Sequence, residues 1–215
     1  MSKRAFLCGT ALAFIIAGSA RPAGAEWFFD LYGGAAFTKD ADITIRDSAT
    51  LDTKLKFDTE ATGGGRFGYW LTGIGIPWLG FATDVSYYAP ATSAADVDAR
   101  LEVVPISGLV LLRLPLRPDP EVPTGRIQPY IGGGPSLVAT RVKVDAPAIG
   151  ERFSDTVAEI GGDFRAGITF MLTRNFGVFA EGRYLLFTTK PGASSFGVDL
   201  DIETFQALGG LTLRF

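Results

Sequence analysis

The chain has 215 residues, with 27 Gly, 12 Pro, one Cys and no His; 47% are hydrophobic, 20% are charged, and the formal net charge is −3. Without His there is no Ser/His/Asp or Cys/His catalytic site and no His-ligated metal, and the lone Cys8 leaves no thiolate zinc site, disulfide or redox pair. An acidic balance gives nucleic acid no basic surface, no cofactor is expected, and abundant Gly and aromatic residues with few charges point to a β-rich chain.

Residues 1–25 read as a secretory signal peptide: Lys3 and Arg4 form a basic head, residues 5–17 an apolar stretch, and Ala23-Gly24-Ala25 a small-residue cleavage site. The apolar stretch falls short of the roughly 20 residues a spanning helix needs. Cys8 lies far from the cleavage region, which argues against a lipoprotein. The mature chain, 26–215, is then a single Cys-free domain with 17 basic against 23 acidic residues. Its longest apolar windows are broken by Pro77 and Pro105, so no transmembrane helix is expected.

The periodicity is that of strands. A first strand at 27–37 sets Phe29, Leu31, Ala35 and Phe37 opposite Asp30 and Tyr32, and a polar loop covers 38–56. A second, 57–71, sets Phe67, Tyr69 and Leu71 opposite Arg66 and Trp70. After a tight connection at 73–77, a third at 79–88 sets Phe81, Val85 and Tyr87 opposite Asp84. A second loop at 89–99 leads to a fourth strand, 100–114, with Val104, Ile106, Val110 and Leu112 on one face; its Pro105 predicts a bulge or ladder defect. A proline-rich turn from Pro115 precedes a fifth strand at 127–144 and a third long loop at 145–155. The sixth strand, 159–172, has Phe164, Ala166, Ile168 and Phe170 opposite Asp163 and Arg165. A two-residue turn at Arg174-Asn175 leads to a seventh strand from Phe176, which separates Val178, Ala180, Tyr184 and Leu186 from Phe179, Glu181 and Arg183. A fourth loop covers 191–196, and the eighth strand is 200–215.

Eight strands joined by alternating long and short connections define an all-β fold, an eight-stranded antiparallel up-and-down β-barrel. A soluble barrel turns its apolar face inward and its charges outward. A transmembrane barrel does the reverse, with an apolar outer band and aromatic girdles. The aromatic faces here, and the recurrence of charges of both signs on the opposite faces, favour the transmembrane form, since a dry soluble core accepts such charges poorly.

The C-terminal segment FQALGGLTLRF, with Phe205, Leu211, Leu213 and Phe215 at alternating positions, resembles the terminal signal of outer-membrane barrels. IQPYIGGGPSL from Ile127 and VVPISGLVLLRLP from Val103 are similar to strands of the opacity-type and outer-membrane-protein-A-type barrels, the small porin-like surface proteins. That resemblance covers the mature chain. It implies a Gram-negative outer membrane as the location, outer-membrane lipid and lipopolysaccharide as surroundings, and recognition of Phe205, Leu211, Leu213 and Phe215 by the barrel-assembly machinery; the oligomeric state stays open, with a monomer favoured. Larger members carry a peptidoglycan-binding domain after the barrel, and since this chain stops at its last strand, cell-wall tethering is not expected.

Three chemical motifs compete with blander readings. Gly63, Gly65 and Gly68 satisfy G-x-G-x-x-G, but no helix follows as a dinucleotide loop requires, so strand curvature is the better reading. Asp84 with Glu181 could be a glycosidase pair, but neighbouring arginines would leave no proton donor. Barrels that modify lipid A resemble this chain in architecture, yet rely on a His that it lacks. The interior charges Arg66, Asp84, Arg165, Glu181 and Arg183 carry two readings: an ion-pair plug in a lumen barely wide enough for side chains, or a charged constriction in a narrow channel. The first makes the protein a non-enzymatic envelope or surface-interaction barrel acting through four long outer loops, the second a porin-like conduit.

Overall fold

The computed structural model describes residues 26–39, 41–42, 44–45, 54–55, 59–89, 91–94, 97–146, 151–189 and 198–215; the expected signal peptide and the fourth loop lie outside them. Eight long strands follow in order: β1 (Glu26–Thr38), β2 (Glu60–Trp70), β3 (Leu79–Tyr88), β4 (Val97–Arg113), β5 (Ile127–Ala146), β6 (Glu151–Met171), β7 (Phe176–Thr189) and β8 (Val198–Arg214). Each pairs antiparallel with the next, and β8 returns to β1 from Phe28↔Arg214 to Thr38↔Thr204, which closes the barrel.

The register fixes its dimensions. From Glu26 the pairing passes through Trp70, Gly80, Leu111, Gly132, Arg165, Arg183 and Gln206 and returns to β1 at Ala36, ten residues further on. With strands ~4.8 Å apart and ~3.3 Å per residue, that stagger tilts them by about 40° and sets a backbone radius of about 8 Å. Such a barrel has room inside for side chains and little else.

Alternation then sorts the residues. Phe29, Leu31, Phe67, Phe81, Val110, Phe164, Ile168, Phe205, Leu211 and Leu213 are exposed on the outside, whereas their strand neighbours are buried, or half-buried at Gly167 and Gly210. Along β8 the outward positions from Phe205 to Phe215 rise about 25 Å at that tilt, the height of a hydrocarbon band. Trp27 stacks on Phe67 and meets Tyr69 edge-on near one end, and Phe37 stacks on Phe205 near the other.

Large inward side chains are seated against glycines directly across the ladder: Phe28 opposite Gly68, Tyr32 opposite Gly64, Trp70 opposite Gly80, Tyr130 opposite Gly167 and Phe179 opposite Gly210. A Cβ on Gly68 would come within 2.3 Å of the Phe28 ring, and one on Gly210 within 2.7 Å of Phe179. The glycines of the G-x-G-x-x-G motif therefore lie within strand β2, followed only by a four-residue 3-10 turn, Leu71–Ile74.

Several boundaries differ from the sequence reading. The third loop expected at 145–155 is largely strand: β5 continues to Ala146 and β6 begins at Glu151, with those two residues paired. Polar residues can extend a hairpin in water because its ladder bonds need no apolar face. The second loop contains Ala91–Ala94, paired with Val97–Arg100 of β4, and the first contains Ala41–Asp42, paired with Lys54–Leu55, and Thr44–Ile45, paired with β8. β2 starts at Glu60 rather than 57, and four residues, 172–175, separate β6 from β7.

Pro105 produces no bulge. The β3–β4 register is the same at Val85↔Ile106 and Tyr88↔Val103, and only the two intervening pairs are missing. A residue without an N–H interrupts the ladder without displacing it.

Candidate functional site in the barrel lumen

The interior is stacked in three layers. At the end where β1 begins and β8 ends, the Glu26 carboxylate accepts two hydrogen bonds from Arg113, at 2.9 and 2.5 Å, and one from the Thr72 hydroxyl at 3.0 Å. The Arg113 guanidinium stacks 4.3 Å from the Trp70 ring centre, and Arg214 lies 5.1 Å from that of Phe28. Aromatic faces thus take over part of the work of water in holding these cations.

The middle layer holds the charges singled out in the sequence. Arg66 donates to Glu181 at 2.6 Å and Arg165 to Asp84 at 2.8 Å; Arg165 also reaches Glu181 at 3.4 Å, and Arg183 stands 3.6 Å from Asp84. All five are buried. The barrel brings strands two, three, six and seven together here because inward positions converge on one axis. Asp84 and Glu181 share the Arg165 guanidinium, whose Nη1 lies 2.8 Å from the one and 3.4 Å from the other.

The network is larger than the sequence reading made it. Asp30 accepts from Arg66 Nε at 2.8 Å, with Asp30, Arg66 and Asp84 in direct register across β1, β2 and β3. Asp163 is bound at both oxygens by Arg165, at 3.0 and 2.7 Å, and accepts from Arg183 at 2.7 Å and from the Ser107 hydroxyl at 2.6 Å. Two neutral hydroxyls complete the set: Tyr130 donates to Glu181 at 2.7 Å, and Tyr32 stands 2.8 Å from both oxygens of Asp84. The signal for Asp163 was its position two residues before Arg165, which puts both on one face within an arginine's reach.

Toward the opposite end the lumen becomes apolar. Ala36, Tyr88, Val103, Val138, Leu185, Phe187 and Ile202 form a buried cluster above the charges. The chemistry of the lumen is therefore that of neutralised, hydrogen-bonded charge between an aromatic floor and an apolar ceiling.

The candidate assembly residues Phe205, Leu211, Leu213 and Phe215 all face outward from β8. The end of β8 is held on both sides: the Phe215 N–H donates to the Trp27 carbonyl at 3.0 Å, and the Asn175 side-chain amide donates to the Arg214 carbonyl at 2.7 Å.

A closed barrel with an apolar, aromatic-rimmed exterior and a charged interior defines a transmembrane β-barrel. The chain belongs to the outer membrane protein beta-barrel family, whose domain it matches over residues 10–215. Among solved structures it is similar to the outer membrane protein OprG from Pseudomonas aeruginosa, with TM-score 0.62 and 16% identity, covering 90% of this chain and 96% of that one. Neisserial surface protein A is similar at TM-score 0.54 and 17% identity, covering 89% and 99%. Ail, the attachment invasion locus protein of Yersinia pestis, solved with the heparin analogue sucrose octasulfate, is similar at TM-score 0.51 and 14% identity, also covering 89% and 99%. At these identities the likeness is one of fold. No curated protein matches the sequence.

Proposed function

We propose that this protein is a non-enzymatic surface barrel whose lumen is plugged and whose outer end presents a binding surface. The observation that carries the reading is the sheet beyond the apolar band. β4, β5 and β6 continue past Ile160, and β6 rises about 20 Å further to Glu151 at the barrel's tilt. Among the described residues β7 pairs with β6 only from Gly161 onward, so the β4–β6 sheet stands beyond the level at which β7 joins it. The packed charges and the apolar layer over them support a lumen closed to solutes, and the outer loops and extended hairpins then carry the function. Ail, of similar fold, was solved with a heparin analogue bound, which is compatible with a surface role.

At the outer rim Lys39 pairs with Glu203 at 2.5 Å, beside Tyr184. These exposed groups sit where the apolar band ends, and they fit the phosphate and sugar headgroups of outer-membrane lipid and lipopolysaccharide.

Planar-bilayer recording tests the plug. The wild-type barrel should show no stepwise conductance, and the same should hold for a variant in which residues 144–153 are replaced by a two-residue turn. Regular steps that change with Glu181→Ala would favour the narrow-channel alternative. Recognition of the closing strand by the assembly machinery is tested by deleting Phe215, which should lower outer-membrane yield while the purified chain still folds in detergent. Equal yields in cells would count against that role.

A further inference from the structure

We infer that one buried water is a structural component of the barrel's inner end, bound between Asp30, Trp70 and Arg214 where β8, β1 and β2 meet. Three residues there hold polar atoms with no hydrogen-bond partner among the described residues: Asp30 Oδ1, Trp70 Nε1, and Nε and Nη1 of Arg214. Their exposures are 4%, 3% and 6%, so bulk water does not serve these atoms. Arg214 Nη1 lies 3.5 Å from Glu26 Oε1, an ion pair that leaves its hydrogen-bonding capacity open. All three residues line one cavity, which offers about 10 Å³ to the centre of a water molecule, roughly the space for a single water.

The balance of donors and acceptors selects the occupant. Indole and guanidinium nitrogens only donate, and the free carboxylate oxygen only accepts. A halide would satisfy the donors but sit against Asp30 and leave Oδ1 unpaired. A metal cation would satisfy Oδ1 but face the donors of Trp70 and Arg214. Water accepts two hydrogen bonds and donates two, so it accepts from Trp70 and Arg214 and donates to Asp30.

The site has a topological consequence. Arg214 faces Phe28 across the β8–β1 junction, the last pairing needed to close the barrel, and Trp70 lies on the far side of β1. The water joins the last residue of β8 to Asp30 of β1 and Trp70 of β2, adding hydrogen bonds to a junction that already holds the Arg214–Glu26 ion pair and the packing of Arg214 on the Phe28 ring.

A crystal structure of the full mature barrel at a resolution that shows ordered water, with a parallel bromide soak, tests the site directly. The expected result is one spherical peak within hydrogen-bond distance of Trp70 Nε1, Arg214 and Asp30 Oδ1, with no anomalous signal from bromide. A bromide peak there would make it an anion site and overturn the inference, as would an empty cavity. In nanodiscs, the Trp70 indole N–H should show a nuclear Overhauser effect to water that Trp70→Phe removes, and that variant should speed amide exchange at Leu213 and Arg214 by about tenfold. Absence of the Overhauser effect in the wild-type protein overturns the inference whether or not the variant folds.

Discussion

Arg165 and Arg183 face each other directly across the β6–β7 ladder, and the Asp163 carboxylate oxygen Oδ2 accepts from both at 2.7 Å. Like charges directly opposite one another in a sheet are destabilising. Here a third side chain, on the same face as Arg165, turns the repulsion into a bridge between two strands.

Asp163→Asn should therefore be among the costliest isosteric changes in the lumen. It leaves two buried guanidiniums short of a counter-charge, and loss of about 3–5 kcal/mol is expected, measured as the urea dependence of folding in lipid vesicles. Adding Arg183→Gln removes one of the stranded charges and should recover part of the loss. A double variant whose cost equals the sum of the two singles would show that the residues act independently.

On the outside of β6, depth decides the cost of a charge. Ala166 lies midway along the outward series from Ile160 to Leu172, so Ala166→Arg should cost about 2–4 kcal/mol, Ile168→Arg somewhat less, and Leu172→Arg about 0–1 kcal/mol. Insertion yield into preformed bilayers should follow that order; equal effects at all three positions would contradict the placement of the band.

Gly134 and Gly108 make a matched pair. A Cβ on Gly134 would lie 1.9 Å from the Gly108 carbonyl oxygen, whereas one on Gly108 meets nothing within 4 Å. Backbone cannot yield as a flexible side chain can, so Gly134→Ala should cost about 1–3 kcal/mol. Gly108→Ala should be neutral or gain up to about 1 kcal/mol by restricting the unfolded chain. Thermal gel-shift midpoints distinguish the two, and a tolerated Gly134→Ala would show that the strands can separate there.

Asp119, in the connection between β4 and β5, has its carboxyl held below the usual range, first by the Val122 backbone N–H and then by the Arg126 side chain. A folded-state value below the unfolded one, about 3.9, stabilises the turn above that pH, and the contribution is lost as pH falls through the folded value. Protection of the Glu121 and Val122 amides, which both bond Asp119 Oδ1, should decline as the pH falls below the unfolded value and through the folded one. Asp119→Asn should flatten that dependence, and an unchanged profile in the variant would assign the decline to another group.

Much of the barrel is legible in the chain because a strand's side chains alternate with a period of two. That period alone separates Phe29 from Asp30, Phe67 from Arg66 and Ile168 from Arg165, and it places Arg66, Asp84, Arg165, Glu181 and Arg183 on interior faces. Loop boundaries are less legible. The polar residues at 145–155 carry no apolar alternation, yet most continue the β5–β6 hairpin, because ladder hydrogen bonds extend it without a buried face.

The order of residues along each strand tells which side chains point inward. Which of them touch across the lumen was decided only on closure, by the ten-residue stagger that returns Glu26 to Ala36. That shift brings Arg66 to Glu181 and Arg165 to Asp84, and sets Trp70 and Arg214 on one cavity with Asp30. Alternation is a property of each strand and can be read locally. Stagger is a property of the closed ring, set by all eight pairings at once, and no single segment carries it.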